Sequence, residues 1–393
     1  MVGVTDAFVH RPAPRDVIVG IGESGSRRLI PTPALICDVD RLLDNIERMA
    51  STTHKAGVAI RPHVKSHKSA FVARHQLDHG ASGLAFAKLS EAEAVVSRLI
   101  TEGWHRRISA LITSPLAGLA LARRAAALSA VCDLVVVADH VDAVDELATA
   151  LVATPGRLSV LCDVDVGLAR TGVVGPREAI EVVRRIDQSP VLDFAGVQGY
   201  GGHLQHIAGR PSRIAETQKS AKRLEIVIDA LESNGYPVAL RTGGGTGTSG
   251  IDIEIGVLNE LQPGSYVFMD REYRDALGDD PEGRFAQSLF LATTVISANQ
   301  EGFVTVDAGL KAMATDAGAP LVVDHEDSVQ YHFFGDEQGL VTNGPDGPFT
   351  RGQRLDLVPP HCDPTVDRYD VIWLVEGETV VGFFDVDARG CSQ

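Results

Sequence analysis

Residues 107–166, RISALITSPLAGLALARRAAALSAVCDLVVVADHVDAVDELATALVATPGRLSVLCDVDV, decide the fold. Three short runs rich in Val, Ile and Leu fall at 107–113, 134–139 and 158–166. Two Ala/Leu/Glu/Arg-rich stretches of helical length, 115–129 and 140–153, separate them. Short apolar runs alternating with helices read as strands covered on both faces, as in parallel βαβ units. Working outward, the alternation continues to runs at 59–65 and 83–87 on one side and at 193–200, 238–242 and 264–269 on the other. Further helical stretches lie at 89–100, 175–188 and 211–235. Eight strands result, the number that closes a (β/α)8 barrel, with an open doubly wound sheet as the rival.

The alternation stops near residue 275. From 286 to 390 the runs LFLATTVIS, FVTVDAG, VQYHFF, DVIWLV and TVVGFF are β-like and punctuated by Gly/Asp turns, which predicts a mainly antiparallel β domain. At the other end, residues 1–30 are Pro- and Gly-rich and read as an irregular arm. A strand over Ala34–Asp38 and a helix over Asp40–Ala56, with Leu42, Leu43, Ile46 and Met49 on one face, follow. That strand is surplus to the eight and is expected to join the β domain. The division is therefore 1–39 arm and strand, 40–275 barrel, 276–393 β domain.

A chain of 393 residues has length enough for a large core without disulfides or structural metals. Its net charge of −16 excludes nucleic acid and anionic membranes as main partners. Five scattered cysteines without a CxxC pair, no apolar run of membrane length and no secretory start predict a cytoplasmic protein with reduced thiols.

In a barrel the chemistry sits at the C-terminal strand ends. The first strand ends in Arg61-Pro62-His63-Val64-Lys65-Ser66-His67-Lys68. The loop after the fifth carries Arg170, the sixth ends at Tyr200, the seventh runs into Gly243-Gly244-Gly245-Thr246-Gly247-Thr248, and the eighth begins at Gly264-Ser265-Tyr266. Residues 245–250, GTGTSG, fit the spacing of a dinucleotide fingerprint, but they fall late in the chain and no long amphipathic helix follows at once. Backbone N–H groups cradling a phosphate fit better, since barrels use the loops after strands 7 and 8 for this; a tight structural turn is the plainer alternative. Opposite a phosphate site, Lys65 becomes a candidate Schiff-base lysine for pyridoxal phosphate (PLP), with Arg170 a partner for the pyridine nitrogen. The plainer readings are an exposed strand-end lysine and a loop ion pair from Arg170 to Asp163 or Asp165. In the β domain, His361 and Asp363 of Pro359-Pro360-His361-Cys362-Asp363 would share a face of extended chain, with Cys362 pointing away. A His and a carboxylate suit a divalent cation with open water positions; a capped turn is the alternative.

RPHVKSHK (61–68), the Arg170 loop, VQGYGGHLQH (197–206), TGGGTGT (242–248), ELQPGSYVFMD (260–270), VDAGLKA (306–312), LVPPHCDPT (357–365) and ARG (388–390) together resemble the D-threonine aldolase family, which includes 3-hydroxy-D-aspartate aldolase, with D-serine dehydratase more distant. The resemblance implies a fold-type III PLP enzyme: an alanine-racemase-like (β/α)8 TIM barrel plus a mainly antiparallel β domain, as a homodimer. It implies that Lys65 carries PLP, that Arg170 faces the pyridine nitrogen and that Tyr200 lines the cofactor. It assigns the phosphate to Gly244, Gly245, Thr246, Gly247, Ser265 and Tyr266, the metal to His361 and Asp363, and the base near the substrate hydroxyl to His206.

The chain departs from the family at Phe86-Ala87-Lys88, at Gly-Gly-His after Tyr200 and at Gln338, which bears on substrate preference rather than on the cofactor. The implied reaction is retro-aldol cleavage of a small D-3-hydroxy amino acid. Asp363, where the dehydratase branch has a zinc-binding Cys, points to Mg or Mn rather than Zn. The alternatives are a D-3-hydroxy amino acid dehydratase on the same scaffold and a non-enzymatic PLP-binding protein. The β domain and the His-x-Asp pair argue against the last.

Overall fold

The helix Pro176–Asp187 shows how the sequence builds the outer layer. Proline at its first turn has no amide proton to waste, Glu178 lies at the positive end of the helix dipole, and Arg184 and Arg185 lie at the negative end. Ala179, Val182, Val183 and Ile186 form one apolar stripe that turns inward and is buried. A computed structural model describes residues 20–152, 157–278, 280, 285–344 and 348–393. The first nineteen residues of the expected arm, and residue 153 at the end of the expected helix 140–153, lie outside them.

Eight parallel strands lie inside such helices: β2 (Ala59–Ile60), β3 (Leu84–Phe86), β4 (Ser109–Ile112), β5 (Asp133–Ala138), β6 (Leu158–Asp163), β7 (Leu192–Gly199), β8 (Leu240–Gly243) and β9 (Glu260–Leu261), β1 (Ala34–Asp38) being a strand of the second sheet. Their order is β2-β9-β8-β7-β6-β5-β4-β3. Ser82 N–H to Ile60 O (2.8 Å), Ala85 N–H to Pro62 O (2.9 Å) and a parallel bridge between His63 and Ala85 join the two ends. The sheet is therefore a closed barrel and not an open doubly wound sheet. A chain of buried polar groups crosses the strands: Arg61 to Glu260 (2.7 Å), Thr242 to Glu260 (2.9 Å), Gln262 to Thr242 and Gln198 (3.0 and 3.3 Å), and Gln198 to Asp163 (2.8 Å).

The eighth strand differs from expectation. It is Glu260–Leu261, extended as far as Pro263, whose carbonyl accepts from His63 N–H (2.9 Å). The apolar run at 264–269 is instead a 3-10 turn, Ser265–Val267, whose Tyr266, Val267 and Phe268 fill the core shared with the β domain. Continuous apolarity marked burial there, not extension.

The second sheet runs β13 (Tyr331–Phe333), β14 (Gly339–Thr342), β11 (Phe303–Val306), β10 (Leu289–Ser297), β1 (Ala34–Asp38), β16 (Val371–Glu376), β17 (Thr379–Asp385), with β15 (Arg354–Val358) on β10 and β12 (Leu321–Val322) on β15. Its pairs are antiparallel except β1–β16. The helix α1 (Val39–Ala56), capped by the Asp38 side chain accepting from Arg41 N–H (3.1 Å), packs Leu42, Ile46 and Met49 into this sheet's core. Among the described residues no helix is long and apolar enough to cross a membrane.

Candidate active site

The first barrel strand ends in a turn. After the ladder bond at His63 the chain coils into a 3-10 turn, Val64–Ser66, in which His63 Nδ1 accepts from Lys65 N–H (3.4 Å). Lys65 thus stands on a turn just beyond the strand, not in it. Its Nζ meets the Asp363 carboxylate, which arrives from the β domain. Burial by itself would lower the Lys65 ammonium, but Asp363 and Tyr200 reverse this and hold it above the ordinary lysine range. Conversely, burial would raise Asp363, while Lys65 and His361 pull it well below the usual carboxylate range. Lys68, three residues on, is committed elsewhere. It is buried between Glu91 (2.9 Å) and Asp367 (3.1 Å), and its carbonyl accepts from Ala388 N–H (3.0 Å), which docks the C-terminal ARG onto the barrel.

Arg170 forms no ion pair with Asp163 or Asp165. Asp163 accepts from Gln198 (2.8 Å) and Thr171 (2.8 Å), and Asp165 from the backbone of Gly167 and Ala169. The Arg170 guanidinium lies over the Tyr200 ring, 5.5 Å from its centroid. Burial pushes the Asp163 carboxyl up to about 6 against the bonds it accepts.

The glycine loop is buried between the strand end and the 3-10 turn at Ser265. Tyr266 N–H donates to Thr246 Oγ1 (3.1 Å), and Ser265 Oγ donates to Asp363 Oδ1 (3.4 Å), so the loop, the turn and the lysine's carboxylate partner form one connected unit. The backbone N–H groups of Gly244, Gly245 and Thr246 donate to no protein acceptor. Buried amides are nearly always paired, so these three fit a phosphate as the missing acceptor. The Tyr266 side chain takes no part. Its ring packs in the core and its hydroxyl accepts from Gln76 (3.1 Å), so only its backbone faces the loop.

The segment carrying the His–Asp pair is not extended, as the sequence suggested. His361 caps a short helix, α10 (Cys362–Val366), because Asp363 and Pro364 are favourable first-turn residues. Period-2 reasoning therefore does not apply. The two side chains nonetheless act on each other and Asp363 meets Lys65, while Cys362 is fully buried with its Sγ beside Asp363 Oδ1 (3.3 Å). Asp316 accepts from His361 Nδ1 (2.7 Å), which leaves the Nε2 lone pair as that ring's ligating position. Burial would lower His361, but Asp363 and Asp316 raise it. One imidazole and one carboxylate fit a hard divalent cation that keeps open positions. Among the described residues no group of three or more His, Cys, Asp or Glu is placed to hold a metal by itself.

His206 follows the turn after β7, stacked edge-on against Tyr273 (4.4 Å), with Nδ1 3.7 Å from Glu272. Its Nε2 is buried without a partner. Burial outweighs Glu272 and lowers its pKa, so the ring is neutral at neutral pH and able to take a proton. His203 is exposed. His63 is buried, hydrogen-bonded to Thr113 (3.1 Å) and lowered to about 3 by burial and Lys65, which makes it a support for the turn.

Sequence reasoning missed three groups. Asp270 accepts Cys362 N–H (2.8 Å) and Tyr273 N–H (3.0 Å), which fixes the His361 turn against α9 (Arg271–Leu277). Asp316 lies in a loop with no periodicity to flag it. Gln205 was visible only as one letter of the 197–206 motif.

A lysine turn at a closed barrel's mouth, faced by a β domain that brings a carboxylate to it, defines a two-domain barrel of the alanine racemase type. The chain belongs to the family described as alanine racemase, N-terminal domain, which matches residues 37–272, and residues 288–375 match a putative serine dehydratase domain. It is 34% identical over 367 residues to the 3-hydroxy-D-aspartate aldolase of Paracoccus denitrificans (strain Pd 1222), covering 92% of each chain. The crystal structure of D-threonine aldolase from Filomicrobium marinum superposes with a TM-score of 0.88 at 32% identity, covering 93% of this chain and 98% of that one. The D-threo-3-hydroxyaspartate dehydratase of Delftia sp. (strain HT23) is 29% identical over 290 residues, covering 74% of each.

Proposed function

We propose that the chain is a PLP- and divalent-metal-dependent lyase that cleaves D-3-hydroxy amino acids, of the D-threonine or 3-hydroxyaspartate type, to glycine and an aldehyde. The observation that supports the reading is the contact of Lys65 with Asp363, which would bring a cofactor lysine to the carboxylate of the His–Asp pair. The aldolase relatives, similar over nine-tenths of the chain, support the same reaction.

Lys65 Nζ would hold the cofactor aldehyde, Gly244 to Gly247 and the Ser265–Tyr266 backbone its phosphate, and Arg170 and Tyr200 its ring. PLP supplies an electron sink for the bond pair released at Cα. Arg170 keeps its own protons, so a pyridine nitrogen facing it gains none and the sink is weak. Cleavage then needs help at the β-hydroxyl. His361 Nε2 and Asp363 would hold a divalent metal, Mg or Mn before Zn, which supplies Lewis acidity there. His206 Nε2, neutral and unpartnered, takes the hydroxyl proton as general base.

The dehydratase reading has support from the match at 288–375 and from the Delftia relative. Product analysis separates the two. Purified protein with PLP, Mn or Mg and a panel of D- and L-3-hydroxy amino acids should yield glycine and aldehyde from the D series. Ammonia and a 2-oxo acid instead would overturn the aldolase reading. We also propose a homodimer with the domain division at 275/276. A cytoplasmic location is supported by the five cysteines, all free.

A further inference from the structure

Gln205 sits one residue before His206 and is buried with every polar atom of its side chain engaged. Its Oε1 accepts from Gly247 N–H (2.9 Å). Its Nε2 donates to Gly201 O (3.1 Å) and Thr248 Oγ1 (3.2 Å). Thr248 Oγ1 in turn donates to Asp252 Oδ2 (2.6 Å). The amide thus accepts from the glycine loop through one atom and donates to the loop and to its own segment through the other, which a methionine of similar size could not do.

The glycines of the loop fit around this residue. A Cβ on Gly245 would stand 2.5 Å from Gln205 Oε1, and one on Gly247 would collide with the Gln205 carbonyl. Gly247 therefore leaves no room for a side chain against the main chain at residue 205, and Gly245 packs directly on the Gln205 amide. Its side-chain polar atoms are all taken by protein partners and the residue is 1% exposed.

We propose that Gln205 is a positioning residue that sets the phosphate cradle. It anchors Gly247 so that the unpaired amides of Gly244, Gly245 and Thr246 converge, and it locks that loop to the segment carrying His206. The inference rests on the reading of residues 244–247 as the phosphate site. Without the amide, Gly247 N–H loses its acceptor and the loop is free to shift against residues 201–206.

The test compares PLP with pyridoxal, which lacks only the phosphate. Full-length apo-protein is titrated with each, and the bound fraction is followed by absorbance. For Gln205→Met, which keeps the volume and removes the amide, PLP affinity should fall about tenfold, the scale of one lost buried hydrogen bond. Pyridoxal affinity should stay within about twofold. Equal losses for both ligands would show a general collapse of the site and overturn the proposal, as would an unchanged ratio. Thr248→Val removes the hydroxyl that holds Nε2 while leaving Gln205 in place. It should shift the ratio in the same direction by a smaller factor, and it carries the test alone if Gln205→Met does not fold. No change in its ratio would then refute the positioning role. A wild-type protein that binds pyridoxal as tightly as PLP would instead sink the phosphate-site reading itself.

Discussion

Asp252 carries a charge problem whose size follows from its surroundings. It lies on α8 (Ser249–Ile255), 8% exposed, with its carboxylate beside Gly244, where a Cβ would stand 2.5 Å from Oδ2. Burial pushes its acid up from 3.8 to about 7, and the bond from Thr248 opposes this only in part. Between about pH 4 and 7 the folded protein keeps a proton that the unfolded chain has released. Folded-state stability is therefore undiminished below about pH 4, falls as pH rises through this window, and stays low above it. A shift of about three units at about 1.4 kcal/mol each sets an upper figure of about 4 kcal/mol. Asp252→Asn never ionises, and its amide oxygen still accepts from Thr248. Its stability relative to wild type should rise by up to about 4 kcal/mol between pH 4 and pH 8. Urea unfolding of the apo-proteins across that range measures it. A stability difference that does not change with pH, or that moves toward wild type as pH rises, would refute the reasoning.

The other predictions concern the site. Lys65→Ala should lose the visible absorbance of bound PLP, and borohydride trapping in wild type should mark Lys65; a trapped Lys68 would contradict its two ion pairs, of which that to Glu91 is buried. Chelation, or His361→Ala, should leave the PLP spectrum largely intact while lowering turnover by orders of magnitude, with Mn or Mg restoring chelated enzyme; full activity after exhaustive chelation would remove the metal from the reading. Cys362→Ala should cost about 1–2 kcal/mol of stability through the cavity it leaves and little activity, whereas a collapse of turnover at normal stability would make Cys362 a participant and favour a zinc dehydratase.

Elements defined by burial were legible in the sequence, and elements defined by distant partners were not. The strands at 107–113, 134–139 and 158–166 could be found because both faces are covered, so each is apolar throughout and fenced by helices. Glu260–Leu261 could not. The strand is two residues long and half of it is a buried acid, tolerated because Arg61, 199 positions away, pairs with it and Thr242 and Ser82 donate to it. Tyr266 to Phe268, read as that strand, are apolar because they fill the space between two domains.

The same distinction runs through the site. His361 and Asp363 stand out by type as candidate ligands, yet their segment is a helix start held by Asp270, not the extended chain their spacing suggested. The glycine loop was readable as room for phosphate, and three unpaired amides bear on that. Two of its glycines, however, answer to Gln205, a residue some forty positions upstream that no local pattern connects to them. A glycine in a sequence records that something comes close; only the fold says whether that thing is a ligand or the protein itself. For this loop the fold shows the protein itself on one side, at Gln205, and the proposed phosphate would lie on the other, so a side chain without ligand contact would govern how tightly the ligand is held.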